Sequence, residues 1–308
     1  MPDDKFILAR KRNALKLRAS LIQNIRLYFI NNNFLEIETP VRIPAPAPEE
    51  HIEAMPAGDW FLQTSPELCM KRMLAAGYDR IFQICKCFRC AERGRLHLPE
   101  FTMLEWYVAG FDYSRLMDQC AEMIISVANN LGCAGSLAGR GTPINLALPW
   151  ERITVQEAFE KYAPVTMAEA LGKNKFDEIL VDLIEPNLGI ARPAFLCDYP
   201  AELGALARLK QDDKSVAERF ELYIGGLELA NGFSELTDAV EQRQRFIQAQ
   251  KLRAKQNYAA YPLPEKFLTS MADLPASAGI ALGIDRLAML FAGVSGIDDI
   301  ITFTPESL

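Results

Sequence analysis

The sequence predicts an α+β fold, a mixed and mainly antiparallel sheet flanked by helices. Three observations carry this. Residues 5–30 have the apolar spacing of a long amphipathic helix, 81–107 and 218–236 each hold two strand-like segments around a turn, and a glycine-rich strand near 279–286 runs into a final helix. With no repeat, low-complexity run or linker in its 308 residues, the chain reads as one domain carrying an insertion at about 112–217.

Each element has a local reason. Leu17, Leu21, Ile25 and Phe29 recur every fourth residue beside Ile22, while Lys11, Arg12, Lys16, Arg18 and Arg26 occupy the other face as a solvated surface. Asn31–Asn33 break this helix, "FLEIETP" (34–40) alternates as a strand ending at Pro40, and a proline-rich loop follows. "TSPELCMKRMLAAG" (64–77) is punctuated as a helix, with Ser65 as N-cap, Pro66 and Glu67 in the first turn and Gly77 closing it. Segments 81–89 and 101–107 alternate as strands joined by an Arg/Gly loop. The stretch 112–217 reads as helical and loop-like, without evident chemistry. Gly225-Gly226 turns a hairpin over 218–236, and "EQRQRF" continues as helix.

Composition narrows the function. A net charge of -7 and a pI near 5.1 argue against a scaffold that holds nucleic acid by a bulk basic field. The charged N-terminus lacks the apolar core of a signal peptide, and Leu287–Ile297 is too short to span a bilayer. Seven cysteines without an export signal read as reduced thiols, which places the protein in the cytoplasm.

"CKCFRCAERGRLHLPEF" (85–101) raises two alternatives, zinc or an anion site. Strand alternation puts Cys85 and Cys87 on one face with Arg89 and turns Cys90 away unless the strand has ended, and no second C-x2-C knuckle exists. Arg89, with Arg93, Arg95 and His97 behind it and Phe101, Glu105 and Tyr107 on the return strand, supplies guanidinium donors beside a flat aromatic, as a nucleotide requires. In the second hairpin, pairing Tyr223 with Glu228 and Glu221 with Ala230 leaves Glu221 and Glu228 diagonal on one face, about 7 Å apart and able to share Mg2+. Asn231, Phe233 and Glu235 then join that face only through a bulge near Asn231 or Gly232. "GIALGIDR" (279–286) brings Gly279 and Gly283 close to a ligand and presents Arg286 at a helix start. Glu67, Glu105 and Glu235 remain to hold a cationic substrate. Together these residues match activation of a carboxylate by ATP.

The chain here resembles the class II aminoacyl-tRNA synthetases, and within them the lysine branch. "FLEIETP" looks like motif 1, "FRCAERGRLHLPEF" like motif 2, "GIALGIDR" like motif 3, and "GGLELANGFSEL" is similar to the lysine-recognition strand. The start of the core near Met1, without the anticodon-binding domain of that branch, together with Ser65 and Ala281, resembles the truncated paralogues that attach (R)-β-lysine to elongation factor P. The resemblance implies that Arg89 and Arg286 are catalytic and clamp ATP phosphates. Cys90, Ala91, His97, Leu98, Phe101, Glu228, Leu229 and Gly283 would complete the ATP site, with Phe101 on adenine. Glu221 and Glu228 would hold Mg2+. Ser65, Pro66, Glu67, Tyr107, Asn231, Glu235 and Ala281 would line the amino-acid pocket, Glu235 meeting the side-chain ammonium of lysine or β-lysine. A homodimer, no membrane association and no tRNA binding are also implied. Ala91 departs from the motif 2 glutamate and Leu98 from the usual asparagine, so either Glu92 substitutes through a shifted loop or the contacts are reorganised. A stand-alone lysyl-tRNA synthetase-type core and a non-catalytic nucleotide or amino-acid regulator are the alternatives. The full set Arg89, Glu221, Glu228 and Arg286 speaks against the regulator.

Overall fold

The computed structural model describes residues 4–50, 52–133, 135–138 and 143–308. Helix α1 is Asp4–Asn31, and Leu21, Ile25 and Phe29 are fully buried along its apolar stripe. The sequence predicts a wholly solvated basic face, and two of its residues depart from this. Arg18 reaches Asp285 at 2.8 Å and Thr102 at 2.8 Å, and Lys11 is buried against the Ile301 carbonyl at 3.2 Å. These long stems bury their methylenes and spend their charge on the C-terminal part of the chain.

Eight strands form the main sheet. They are β1 (Leu35–Glu36), β2 (Arg80–Phe88), β3 (Glu100–Ala109), β4 (Glu151–Thr154), β5 (Ala194–Pro200), β6 (Val216–Ile224), β7 (Leu227–Ser234) and β8 (Ser277–Gly283). Their order is β1-β2-β3-β8-β7-β6-β5-β4. The two edge pairs, β1/β2 and β5/β4, are parallel, and the pairs between them are antiparallel. The mixed, mainly antiparallel sheet is as the sequence predicts.

Two readings change. The strand expected over 34–40 pairs only at Leu35–Glu36, with one further bond from Ile37 N–H to the Phe82 carbonyl at 2.9 Å, before the chain leaves to pair at Arg42–Ile43 in a small separate sheet. Residues 112–217 are not simply helical and loop-like, since they contribute β4 and β5 to the main sheet. Helix α3 (Tyr113–Asn130), between β3 and β4, packs with α1 on one face. Helix α2 is Glu67–Ala75, α4 is Ala239–Lys255 and α5 is Ile284–Ala292.

Alternation along the strands separates core from site. Leu104, Trp106 and Val108 of β3, Ile280 and Leu282 of β8, and Phe220 and Leu222 of β6 join α1, α3 and α5 in one core cluster. Each such side chain contributes roughly 1.5–3 kcal/mol on burial. The intervening odd-numbered residues face the other side. There the register aligns Gln83, Glu105, Ala281, Asn231 and Glu221 across β2, β3, β8, β7 and β6.

Candidate active site

The odd-numbered face floors a cavity of about 870 Å³, walled by α2 and α4, by Pro48, Glu49, Glu50 and Ile52, and by the loop at 92–98. Gly225 and Gly226, at φ 65° and 72°, make the tight turn between β6 and β7, and Tyr223 pairs with Glu228 as expected. The bulge falls at Leu229, earlier than anticipated. Glu221 therefore pairs with Asn231, not Ala230, and Glu228, Asn231, Phe233 and Glu235 share the face of Glu221.

At one end three carboxylates cluster near one ammonium, two of them in contact with it. Ser65 Oγ donates to Glu105 Oε1 at 2.6 Å and accepts the Glu67 N–H at 3.0 Å, so this serine serves the helix start and the pocket together. The residue bounding α2 is Pro66, one position later than expected, and Gly77 closes the helix at φ 91°. Tyr107 donates to Glu105 Oε2 at 2.8 Å. Lys71 Nζ lies 2.6 Å from Glu67 Oε1, also meets Glu235 Oε2, and sits 5.0 Å above the Phe233 ring. Glu235 is wholly buried, and its Oε1 has no hydrogen-bond partner. Gly279 makes this approach possible, because a Cβ there would stand 2.2 Å from Tyr107 Cε1 and 2.5 Å from Glu235 Oε1.

Burial pushes the Glu105 carboxyl up to about 8, with Glu67 adding repulsion. Burial also pushes Glu235 up to about 8, although Lys71 opposes the shift. Burial disfavours the Lys71 ammonium, but Glu235 and Glu67 outweigh it and hold its pKa above the usual value. Burial drives the protonation, and a cluster with more carboxylate than cation adds to it.

The other end is cationic. The Arg89 guanidinium lies 5.1 Å over the Phe101 ring, and its buried Nε has no partner. Arg286 donates to the Glu228 carbonyl at 2.9 Å and to its Oε2 at 3.2 Å, and meets His97 Nε2. Burial and the adjacent Arg286 lower the His97 pKa, which keeps the ring neutral. Asp285, clamped by Arg18 and accepting the Thr102 N–H at 2.7 Å, fixes the start of α5 beside Arg286.

Glu221 takes Arg219 at 2.7 Å and the Tyr223 hydroxyl at 2.7 Å, with the Glu185 carboxyl 3.2 Å from that hydroxyl. Burial raises Glu185 to about 7, with Glu228 and Glu221 adding repulsion. Among the described residues no three His, Cys, Asp or Glu side chains form a metal cage by themselves. Two carboxylates with further positions left to phosphate and water suit Mg2+.

Most residues expected from the sequence meet on this wall: Ser65, Glu67, Arg89, His97, Leu98, Phe101, Tyr107, Glu221, Glu228, Leu229, Asn231, Ala281, Gly283 and Arg286. Pro66, Cys90 and Ala91 lie off it, and Glu235 sits behind Gly279 and Tyr107. Arg93 and Arg95 turn away, the former to Glu306 at 2.8 Å and Asp298 at 2.9 Å, the latter to the Ser295 carbonyl at 3.1 Å. β2 ends at Phe88, so Cys90 is already in the loop, while Cys85 and Cys87 share a face with their sulfurs 3.9 Å apart. Ala91 has φ 62°, and Glu92 faces the cavity with its carboxylate 3.7 Å from Arg89. Sequence reasoning missed Lys71, Arg219 and Glu185. The spacing of Glu67 and Lys71, one helical turn apart, was a usable signal for the first.

Comparison with known proteins agrees with this geometry. Residues 6–307 match the family model of class II tRNA synthetases (D, K and N). A protein of Proteus mirabilis named elongation factor P–(R)-β-lysine ligase is 38% identical over 94% of this chain and 94% of its own length. Proteins of the same name from Erwinia tasmaniensis and Salmonella dublin are each 38% identical, over 96% of this chain and 95% of theirs. With its motifs assembled around one cavity and its length matched almost throughout, the chain belongs to the class II tRNA synthetase family and is a ligase.

Proposed function

We propose that the protein activates (R)-β-lysine or lysine with ATP and transfers the acyl group to a lysine side chain of elongation factor P. The observation that carries this reading is the closed end of the cavity, where Glu67, Glu105 and Glu235 face a single internal cation, Lys71. A lysine-type substrate brings the missing positive charge. Relatives named for this reaction, matched over nearly their whole length, support the same substrate and partner.

The substrate ammonium seats beside Tyr107 and the free oxygen of Glu235. Its carboxylate then points along β3 and β8, past Ala281, toward the Phe101 and Gly283 end that carries Arg89 and Arg286. No general base is needed, because the attacking carboxylate is already an anion. Its oxygen bonds to the α-phosphorus as the bond to pyrophosphate breaks. Arg89 balances charge on the α-phosphate, and Arg286, released from Glu228, balances it on the leaving group. Glu221 and Glu228 would hold Mg2+, which would supply further charge neutralisation on the phosphates. In the second step the acceptor amine bonds to the acyl carbon, AMP leaves, and the amine loses a proton. The cavity walls keep water from the mixed anhydride.

This reading includes a cytoplasmic homodimer. Leu27 and Ile30 of α1 and Leu35 of β1, at 52, 53 and 49% exposure, offer an apolar face. No helix among the described residues is long and apolar enough to cross a membrane. ATP–pyrophosphate exchange with each lysine isomer, followed by transfer to elongation factor P or to tRNA, tests the whole. Exchange is expected with a lysine isomer and transfer with the protein. Absence of exchange, or charging of tRNA alone, refutes it.

A further inference from the structure

One carboxylate on the cavity wall has no task in that reaction. Glu49, half-buried in the proline-rich loop, faces the cavity, and its carboxylate has neither ion pair nor hydrogen bond among the described residues. Its backbone is fixed on both sides, the N–H donating to the Ala47 carbonyl at 2.9 Å and the carbonyl accepting from Arg253 Nη1 at 2.7 Å. Arg253 is 1% exposed and also donates to the Ile52 carbonyl at 2.6 Å and pairs with Glu53 at 2.8 Å. Tyr261, stacked under that guanidinium at 4.2 Å, accepts the Ala54 N–H at 2.7 Å. Cys90 N–H ties the same loop to the arginine loop through the Glu53 carbonyl at 2.7 Å. The loop is therefore built to hold Glu49 in place.

The surroundings of Glu49 call for a cation. Burial raises its carboxyl to about 7 and Glu67 repels it, while Arg89, Arg219 and Arg253 act in the opposite sense. Glu67 cannot serve a ligand fully, since one of its oxygens is committed to Lys71 at 2.6 Å. A second, independent observation comes from α4. Gln242 is 1% exposed and lines the same cavity, and neither its Nε2 nor its Oε1 has a partner. An orphaned buried amide is costly without a polar ligand to satisfy it.

We propose that Glu49 is a specificity-determining residue, the acceptor for the substrate ammonium that lies nearer the reacting carboxylate. With Glu235 and Tyr107 taking the distal ammonium, the cavity then has two separate cation stations. It selects acids with two amines over acids with one. This rests on the lysine-type substrate proposed above.

Glu49→Gln, which keeps shape and removes charge, tests it. KM in ATP–pyrophosphate exchange is measured for (R)-β-lysine and L-lysine, together with the Ki of 6-aminohexanoate, which lacks the second amine. Loss of a charge-assisted hydrogen bond raises KM about tenfold or more, with kcat nearly constant as for uniform binding. The Ki of 6-aminohexanoate stays at the wild-type value, which also reports an intact pocket. Glu49→Asp recovers part of the KM loss. An unchanged KM in Glu49→Gln, or a Ki that rises in parallel with it, overturns the assignment of Glu49 while leaving the reaction standing. Failure of the wild-type protein to exchange with either diamino acid overturns both.

Discussion

Gly279→Ala perturbs the pocket floor with a single methyl group. Its Cβ would lie 2.2 and 2.3 Å from Tyr107 Cε1 and Cδ1 and 2.5 Å from Glu235 Oε1. To restore a 3.4 Å contact the tyrosine ring must retreat by about 1.2 Å, a shift typical of an overpacked core. The backbone cannot yield, because β8 is bonded to β3 on one side and β7 on the other. Nor can the ring move freely, since its hydroxyl is held to Glu105 at 2.8 Å. Overpacking of this kind costs about 1–3 kcal/mol, so the variant folds with a lowered urea midpoint. A misplacement of about 1 Å at a substrate-positioning group costs on the order of 100-fold in rate. Exchange kinetics should accordingly show amino-acid-dependent kcat/KM falling by about that factor. The KM for ATP should stay put, because Gly279 and the Arg89–Arg286 end are served by different side chains. Wild-type kcat/KM in Gly279→Ala would show that the substrate does not rest against Tyr107 and Glu235.

Three further outcomes follow from the same geometry. Lys71→Met leaves Glu67 and Glu235 facing each other without their cation. Breaking a buried pair this way costs about 3–5 kcal/mol, readable by urea denaturation, and a variant within about 1 kcal/mol of wild type would refute the pairing. Glu105 and Glu235, both raised to about 8, are partly protonated at neutral pH, and a cationic substrate favours their ionised forms. KM for the amino acid should therefore fall as pH rises from 6 to 8 and then level, and a KM rising over that range would contradict the assignment. By the same linkage the ligand-free fold is best supported by these two groups below the unfolded carboxyl value, and that support is lost as pH climbs through 8. Glu228→Gln removes one proposed Mg2+ ligand and the ion pair to Arg286, which keeps its bond to the residue 228 carbonyl. The Mg2+ concentration for half-maximal exchange should rise with little change in amino-acid KM, and an unchanged Mg2+ requirement would move the metal elsewhere.

What the sequence could and could not disclose follows from the kind of signal each feature leaves. The Gly225-Gly226 turn and the placing of Arg286 in the first turn of α5 are local, so they were legible. The bulge was anticipated, but a single inserted residue leaves no mark of its own position, and it lies at Leu229. β5 was missed because "AFLCDYP" is buried on both faces and has no alternation to betray it. Arg18 and Lys11 read as solvent-facing because their partners, Asp285 and the Ile301 carbonyl, lie more than 250 residues away. The set of site residues was largely readable as residue types. That Lys71 already holds Glu235 was not, since sequence shows which charges exist and not which of them have been spent.

The five-residue row from Gln83 to Glu221 makes the site a ruler whose divisions are strand spacings. Neighbouring strands stand about 4.8 Å apart, so Glu105 and Glu221, three spacings apart, are held about 14 Å from each other. No strand can slide to suit a different ligand, because a one-residue slip would exchange the site face for the core face. The gap between Glu105 in the carboxylate pocket and Glu221 is thus set by backbone pairing. Accommodation of a longer, shorter or differently branched acid is left to side-chain size at a few graduations, and Ala281, midway between Glu105 and Asn231, is the smallest side chain in the row.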